Sequence, residues 1–121
     1  MDTPATHRNL LAWQEAMALV VTVYRDTASL PAEERFGLTA QIRRAAISIP
    51  SNIAEGAARN SAKELMQFVS IACGSVAELD TQIELTIRLG YLKADAPSMA
   101  LCGRVGYLVR ALRTSLRHRE I

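Results

Sequence analysis

The sequence predicts an all-α protein, an antiparallel up-down-up-down four-helix bundle whose second helix is kinked at Pro50. Three observations carry that prediction. Apolar residues recur at three- and four-residue steps along nearly the whole chain. No stretch alternates with period two, and no Asn-Gly or Asp-Gly pair marks a hairpin. Stop and start signals cut the pattern into four segments joined by short turns, and short turns place successive helices antiparallel.

The first helix is expected over about residues 10–29. Leu10, Trp13, Met17, Val20, Tyr24 and Ala28 form its apolar seam, and Ala12, Ala16, Leu19 and Val23 cover the adjoining face. The polar remainder, Glu15, Thr22, Arg25 and Asp26, is a narrow strip. A helix apolar around most of its circumference is buried on more than one side, which in a small bundle favours self-association. Pro31, in "LPAEERFG", stops this helix.

The second helix is expected over about residues 36–58, with Leu38, Ile42, Ala45, Ile49, Ile53 and Gly56 on its core face. Pro50 lacks an N–H and its ring presses on the carbonyl of Ala46, a cost of about 3 kcal/mol in an unadapted helix. No Gly, Asp or turn cluster accompanies it, so a kinked but continuous helix is expected. Ser48, Ser51 or water would satisfy the freed backbone groups.

Ser61, with Glu64 three residues on, opens the third helix (62–89) as a capping box, and Gly90 closes it. Its seam is Leu65, Phe68, Ala72, Val76, Leu79, Ile83 and Thr86. After the turn "KADAP", Asp95 or Ala96 caps the fourth helix (97–118), and Pro97 sits in the first turn where its missing N–H is harmless. Leu101, Val105, Leu108, Leu112 and Leu116 are its seam. Residues 1–9 are expected to be a flexible segment and 119–121 a tail, leaving one bundle domain over 10–118.

Bulk composition agrees with a folded domain: 50% of the 121 residues are hydrophobic and 21% charged. A chain of this length buries roughly two-thirds of its unfolded surface. The most apolar run, "AMALVVTVY", falls well short of the ~20 residues of a membrane span. "MDTPATHRNL" has no apolar signal core. Cys73 and Cys102 lack a CxxC partner and read as reduced, buried small hydrophobes. A cytoplasmic protein of bacterial type, without membrane contact, is expected.

The residues that carry chemistry elsewhere are thinly represented. The two histidines, His7 and His118, stand at opposite ends of the sequence. There is no Glu-x-x-His pair, no Cys/His set at zinc spacing and no phosphate-binding glycine loop. Gly103 and Gly106 read as small contacts between helices. Nothing near Ser48 and Ser51 in sequence could lower a serine pKa except Arg43, Arg44 or Arg59, and none of these acts as a base. No enzymatic activity, cofactor, metal or small-molecule substrate is expected.

Two surfaces stand out instead. Gln41, Arg44, Ser48, Asn52, Glu55 and Arg59 follow at steps of three and four, so they share one helix face opposite Ile42, Ile49 and Ile53. That face is either solvated or a polar seam at a helix or subunit interface, where Asn and Ser fix register. Ile47, flanked by Ala40, Ala54 and Ala58, marks a third face suited to close packing. The second surface is basic. Residues 103–121 carry Arg104, Arg110, Arg113, Arg117 and Arg119 against Glu120, although the net charge is only +2. Arg110, Arg113 and Arg117 form one stripe, which is either a soluble outer face or a phosphate-contacting strip that a ring of subunits would multiply. With Arg104 they are the candidate nucleic-acid contacts. With only six aromatics in the chain, backbone contact is expected rather than sequence-specific single-strand recognition.

The stretches "LAWQEAMALVVTVY", "FGLTAQIRRAAISIPSNIAEGAAR" and "ELMQFVSIACGSVAELDTQIELTIRLGYL" closely resemble the four-helix bundle proteins encoded by 23S rRNA intervening sequences. More distantly, they resemble the accessory variability proteins of diversity-generating retroelements. The similarity covers roughly residues 10–92, and the run from Gln41 through Gly56 is its most specific part. The resemblance implies an up-down bundle assembled as a homopentameric barrel; the retroelement relatives are basic rings that bind nucleic acid and a reverse transcriptase. The function expected is a non-enzymatic, ring-forming protein that offers a repeated surface to RNA, DNA or a nucleic-acid-processing partner. The alternative is an oligomeric scaffold with protein partners only.

Overall fold

The computed structural model describes residues 6–120, and the side chains of residues 6–118. Four helices carry the fold: α1 (Leu11–Thr27), α2 (Leu38–Ala57), α3 (Ala62–Arg88) and α4 (Pro97–Glu120). There is no strand among the described residues. Single 3-10 turns, His7–Asn9 and Ala32–Glu34, precede α1 and α2. Residues 1–5 and 121 of the expected flexible ends lie outside the described residues. Within the expected N-terminal segment, His7–Asn9 is helical and the His7 ring packs edge-on against Trp13 at 4.9 Å. The helices form a closed square: α1 packs on α2 and α4, α3 on α2 and α4, and among the described residues the diagonal pairs bring no Cα atoms within 8 Å of each other. No helix among the described residues is long and apolar enough to cross a membrane.

The helix starts follow from local chemistry. The Ser61 hydroxyl accepts the N–H of Glu64 at 3.1 Å, as the capping box requires. Gly90 adopts φ +82°, and the Tyr91 N–H reaches back to the Thr86 carbonyl at 3.1 Å, closing α3. Helix α2 starts at Leu38, two residues later than expected; its first N–H goes to the Glu34 carboxylate at 3.3 Å, and Phe36 is left in solvent.

Three isoleucines of α2, Ile42, Ile49 and Ile53, are fully buried, and α2 is helical straight through Pro50. Burying each contributes about 1.5–3 kcal/mol. Together they outweigh the ~3 kcal/mol cost of an interior proline. Val69, Leu79 and Ile83 of α3, and Val105, Val109 and Leu116 of α4, complete the core.

Helix α1 is rotated relative to expectation. Its buried set is Ala12, Ala16, Leu19, Val23 and Thr27. Of the expected seam, Met17, Tyr24 and Ala28 are exposed, while Leu10, Trp13 and Val20 are half-buried. Both faces are apolar, so periodicity does not choose between them. Packing does: Ala12 and Ala16 let neighbouring backbones approach, and the bulkier set lies along the rim.

Candidate nucleic-acid interface

The four candidate arginines of α4 divide into two environments. Arg104 turns toward α1, where its Nε pairs with the Glu15 carboxylate. Of the other three, Arg110 and Arg113 turn toward α3. Arg110 folds back over its own helix, so that a Cβ added at Gly106 would lie 3.0 Å from an Arg110 guanidinium nitrogen and 3.1 Å from Val76. Gly106 therefore leaves the space in which Arg110 lies across to α3. Arg113 is half-buried, and its Nε is enclosed without a hydrogen-bond partner among the described residues. Arg117 is exposed one turn further on. None of the three forms an ion pair among the described residues.

Between α3 and α4 these arginines overlook a cleft of about 630 Å³. Arg110 and Arg113 stand near one end with Ser70 and Cys73; Asp80 and Cys102 lie at the other. The floor is open: a Cβ at Gly74 or Gly103 would meet nothing within 4 Å. Burial pushes the Cys73 thiol above its ordinary pKa, and the positive charges of Arg113, Arg110 and Arg117 pull it the other way. All three guanidinium groups thus act on one point of the cleft. Cys102, almost wholly buried, is pushed up to about 12 by burial, with a contribution from Asp80. Both cysteines are free thiols.

The polar face of α2 splits in a comparable way. Arg44, Glu55 and Arg59 are exposed, and Glu55 pairs with Arg59 at 3.6 Å. Arg59 also stacks over Phe68, 4.9 Å from its centroid. Ser48 and Asn52 turn inward, toward α3. The Ser48 and Ser75 hydroxyls lie 2.8 Å apart, and Asn52 Nδ2 donates to the Ser48 hydroxyl at 2.9 Å and to its carbonyl at 2.8 Å. These residues are a polar clasp between two helices of one chain. Among the described residues no histidine or carboxylate is hydrogen-bonded to this network, and Glu78 lines the same surface pocket as Ser48.

Ile47 lies on the opposite flank of α2. With Trp13, Met17 and Val20 of α1, and with Pro50, it borders an apolar groove of about 320 Å³. Sequence reasoning missed this groove because it assigned the large residues of α1 to the core. Among the described residues no three His, Cys, Asp or Glu side chains gather as a metal site would require.

No curated protein matches the chain. The family model for the 23S rRNA-intervening sequence protein does match, over residues 8–104. That span takes in α1, α2, α3 and the first turns of α4, and it leaves Arg110, Arg113 and Arg117 beyond its end. With about four-fifths of its length matched and a helical bundle for its fold, this chain belongs to the 23S rRNA-intervening sequence protein family.

Proposed function

We propose that this protein is a non-enzymatic, homo-oligomeric bundle that binds the phosphate backbone of RNA or DNA through the basic cleft between α3 and α4. The observation that carries the reading is that Arg110 and Arg113 line one cleft, with Arg117 a turn beyond them on the same stripe, and none of the three has a carboxylate partner among the described residues. Paired cations add little to phosphate binding because binding must first break the pair; Arg104 is of that kind. The oligomer, five subunits by family resemblance, is supported by the apolar groove around Ile47 and by the exposed Met17, Val21 and Tyr24 of α1. Each added subunit repeats the arginine cleft, so weak single-cleft contacts combine.

The same reading includes an up-down-up-down course with a bend at Pro50. The bend rests only on the interior proline, which cannot donate to the Ala46 carbonyl; the support for the course is pairwise. Thr27 meets Arg43, Gly56 faces Leu65 and Phe68, Val76 faces Gly106, and Ser98 meets Asp26. A cytoplasmic setting is supported by the two free thiols.

Titration of labelled RNA and DNA against salt tests the binding. Affinity should fall steeply with salt, and Arg110→Glu with Arg113→Glu should abolish it. No affinity at low salt, or affinity indifferent to those substitutions, leaves the scaffold reading in its place. Light scattering tests the assembly, and a monomer at micromolar concentration would remove it.

A further inference from the structure

We infer that the α3/α4 cleft is built for single-stranded rather than duplex nucleic acid, with Tyr107 as the platform on which a base stacks. The inference rests on the proposed phosphate-binding role of the cleft and assigns the strand form of the ligand.

Tyr107 is 67% exposed in the middle of α4. It forms no hydrogen bond and no ring contact among the described residues, so packing does not account for it. A phenol ring held in water on a regular helix is an apolar surface without a partner. Its neighbours in sequence are the cleft residues: Gly106 and Gly103 line the floor, and Arg110 stands three residues on, on the next turn of the same side. An exposed ring beside a recessed row of guanidinium groups combines backbone-tracking charge with a base-stacking surface, the pairing that single strands require.

The recess argues in the same direction. A duplex is a convex cylinder whose bases are already stacked inside; it touches the outermost charges of a surface and offers no free base face. Arg113, half-buried with its Nε enclosed, is poorly placed for such contact. A single strand can enter a cleft between two helices, and the open floor over Gly74 and Gly103 leaves room for it. Asp80 at the far end repels phosphate and confines the backbone to the Arg110–Arg113–Arg117 end. One ring without hydrogen-bonding neighbours reads no base identity, so binding should be tolerant of sequence.

Fluorescence anisotropy with labelled unstructured RNA and DNA strands, and with the matching duplexes, tests this. Tyr107→Leu should weaken strand binding by roughly 5- to 150-fold, the range of one lost stack. The salt slope should stay the same, duplex binding should be unmoved, and Tyr107→Phe should restore wild-type affinity. Circular dichroism confirms that each variant folds. Equal strand binding by wild type and Tyr107→Leu, or a duplex held as tightly as a strand, overturns the inference. If strand binding is lost in Arg110→Glu with Arg113→Glu but not in Tyr107→Leu, the inference falls and the proposed function stands. If neither strand nor duplex binds at low salt, the proposed function falls with it.

Discussion

The carboxylate of Asp26, in the last turn of α1, accepts the backbone N–H of Ser98 at 2.9 Å, across 72 residues of chain. Ser98 lies in the first turn of α4, where N–H groups have no partner within the helix. Neither Ala96 nor Pro97 carries a side-chain acceptor. One helix therefore caps another, and the contact fixes where α4 begins relative to where α1 ends.

Removing that cap should be measurable. Asp26→Ala is expected to destabilise the protein by about 1 kcal/mol, as loss of an N-cap acceptor does. Asp26→Asn keeps an acceptor oxygen and should recover most of the loss. Urea denaturation at one fixed subunit concentration checks both, since assembly would otherwise shift the midpoint. Equal stability for wild type and Asp26→Ala would show that water replaces the carboxylate at no cost.

Sequence and structure part company at contacts of this kind. The Ser61–Glu64 box and the Gly90 cap were legible because their partners lie within a few residues. Asp95 and Ala96 were the expected caps of α4, for the same local reason, whereas the acceptor comes from another helix. The inward turn of Ser48 and Asn52 was legible only as a shared face; their partner, Ser75, sits on α3. Arg110, Arg113 and Arg117 were grouped by their spacing and Arg104 joined them by composition alone, yet a 3.6-residue period already sets Arg104 about 120° around the helix from Arg110. That angle separates the Glu15-paired arginine from the other three. The apolar faces of α1 were both legible, and only the packing of its neighbours decides which is buried.

Gly56 and Gly74 should respond oppositely to alanine. A Cβ at Gly56 would lie 2.7 Å from the Phe68 Cβ and 3.3 Å from the Leu65 Cα, atoms fixed to the backbone of α3. Gly56→Ala is therefore expected to cost about 1–3 kcal/mol despite its gain in helix propensity. At Gly74 nothing lies within 4 Å, so Gly74→Ala should stabilise by about 0.5–1 kcal/mol. Thermal denaturation of the two variants gives the sign directly. A stabilised Gly56→Ala would mean that α2 and α3 separate readily.

The Ser48–Ser75 contact, 2.8 Å between hydroxyls at a largely buried α2/α3 seam, predicts coupled mutants. Ser48→Ala removes a partner from both Ser75 and Asn52, while Ser75→Ala leaves Ser48 bonded to Asn52. Ser48→Ala should be the costlier change, by about 1 kcal/mol. In a double-mutant cycle the two losses should fall short of additivity by about 0.5–1 kcal/mol. Strict additivity would mean that the hydroxyls do not interact.

Cys73 reports on the charge of the cleft. Arg113, Arg110 and Arg117 lower its pKa against the larger upward effect of burial. Replacing Arg110 and Arg113 by Gln removes two of the downward contributions, so the thiol pKa should rise further. Thiolate is the reactive form. Alkylation of Cys73 at about pH 8 should consequently slow in the double variant. An unchanged or faster rate would place the guanidinium groups too far from the thiol to act on it.

Cys102 should make stability fall at alkaline pH. Its ordinary pKa of 9.0 is pushed to about 12 in the folded chain, first by burial and then by the negative charge of Asp80. Between those values the unfolded chain gives up the thiol proton while the folded chain keeps it. The unfolded state then binds fewer protons, and stability decreases with rising pH, by at most about 1.4 kcal/mol per pH unit. Below pH 9 the contribution is complete, and it is gone once pH passes about 12. The test compares unfolding free energies of wild type and Cys102→Ala from about pH 8 to about pH 10, so that other titrating groups cancel. Wild type should start more stable, because Cys102 fills a core position, and should lose that advantage as pH rises. Parallel pH profiles would mean that the folded chain lets the Cys102 thiol ionise as freely as the unfolded one does.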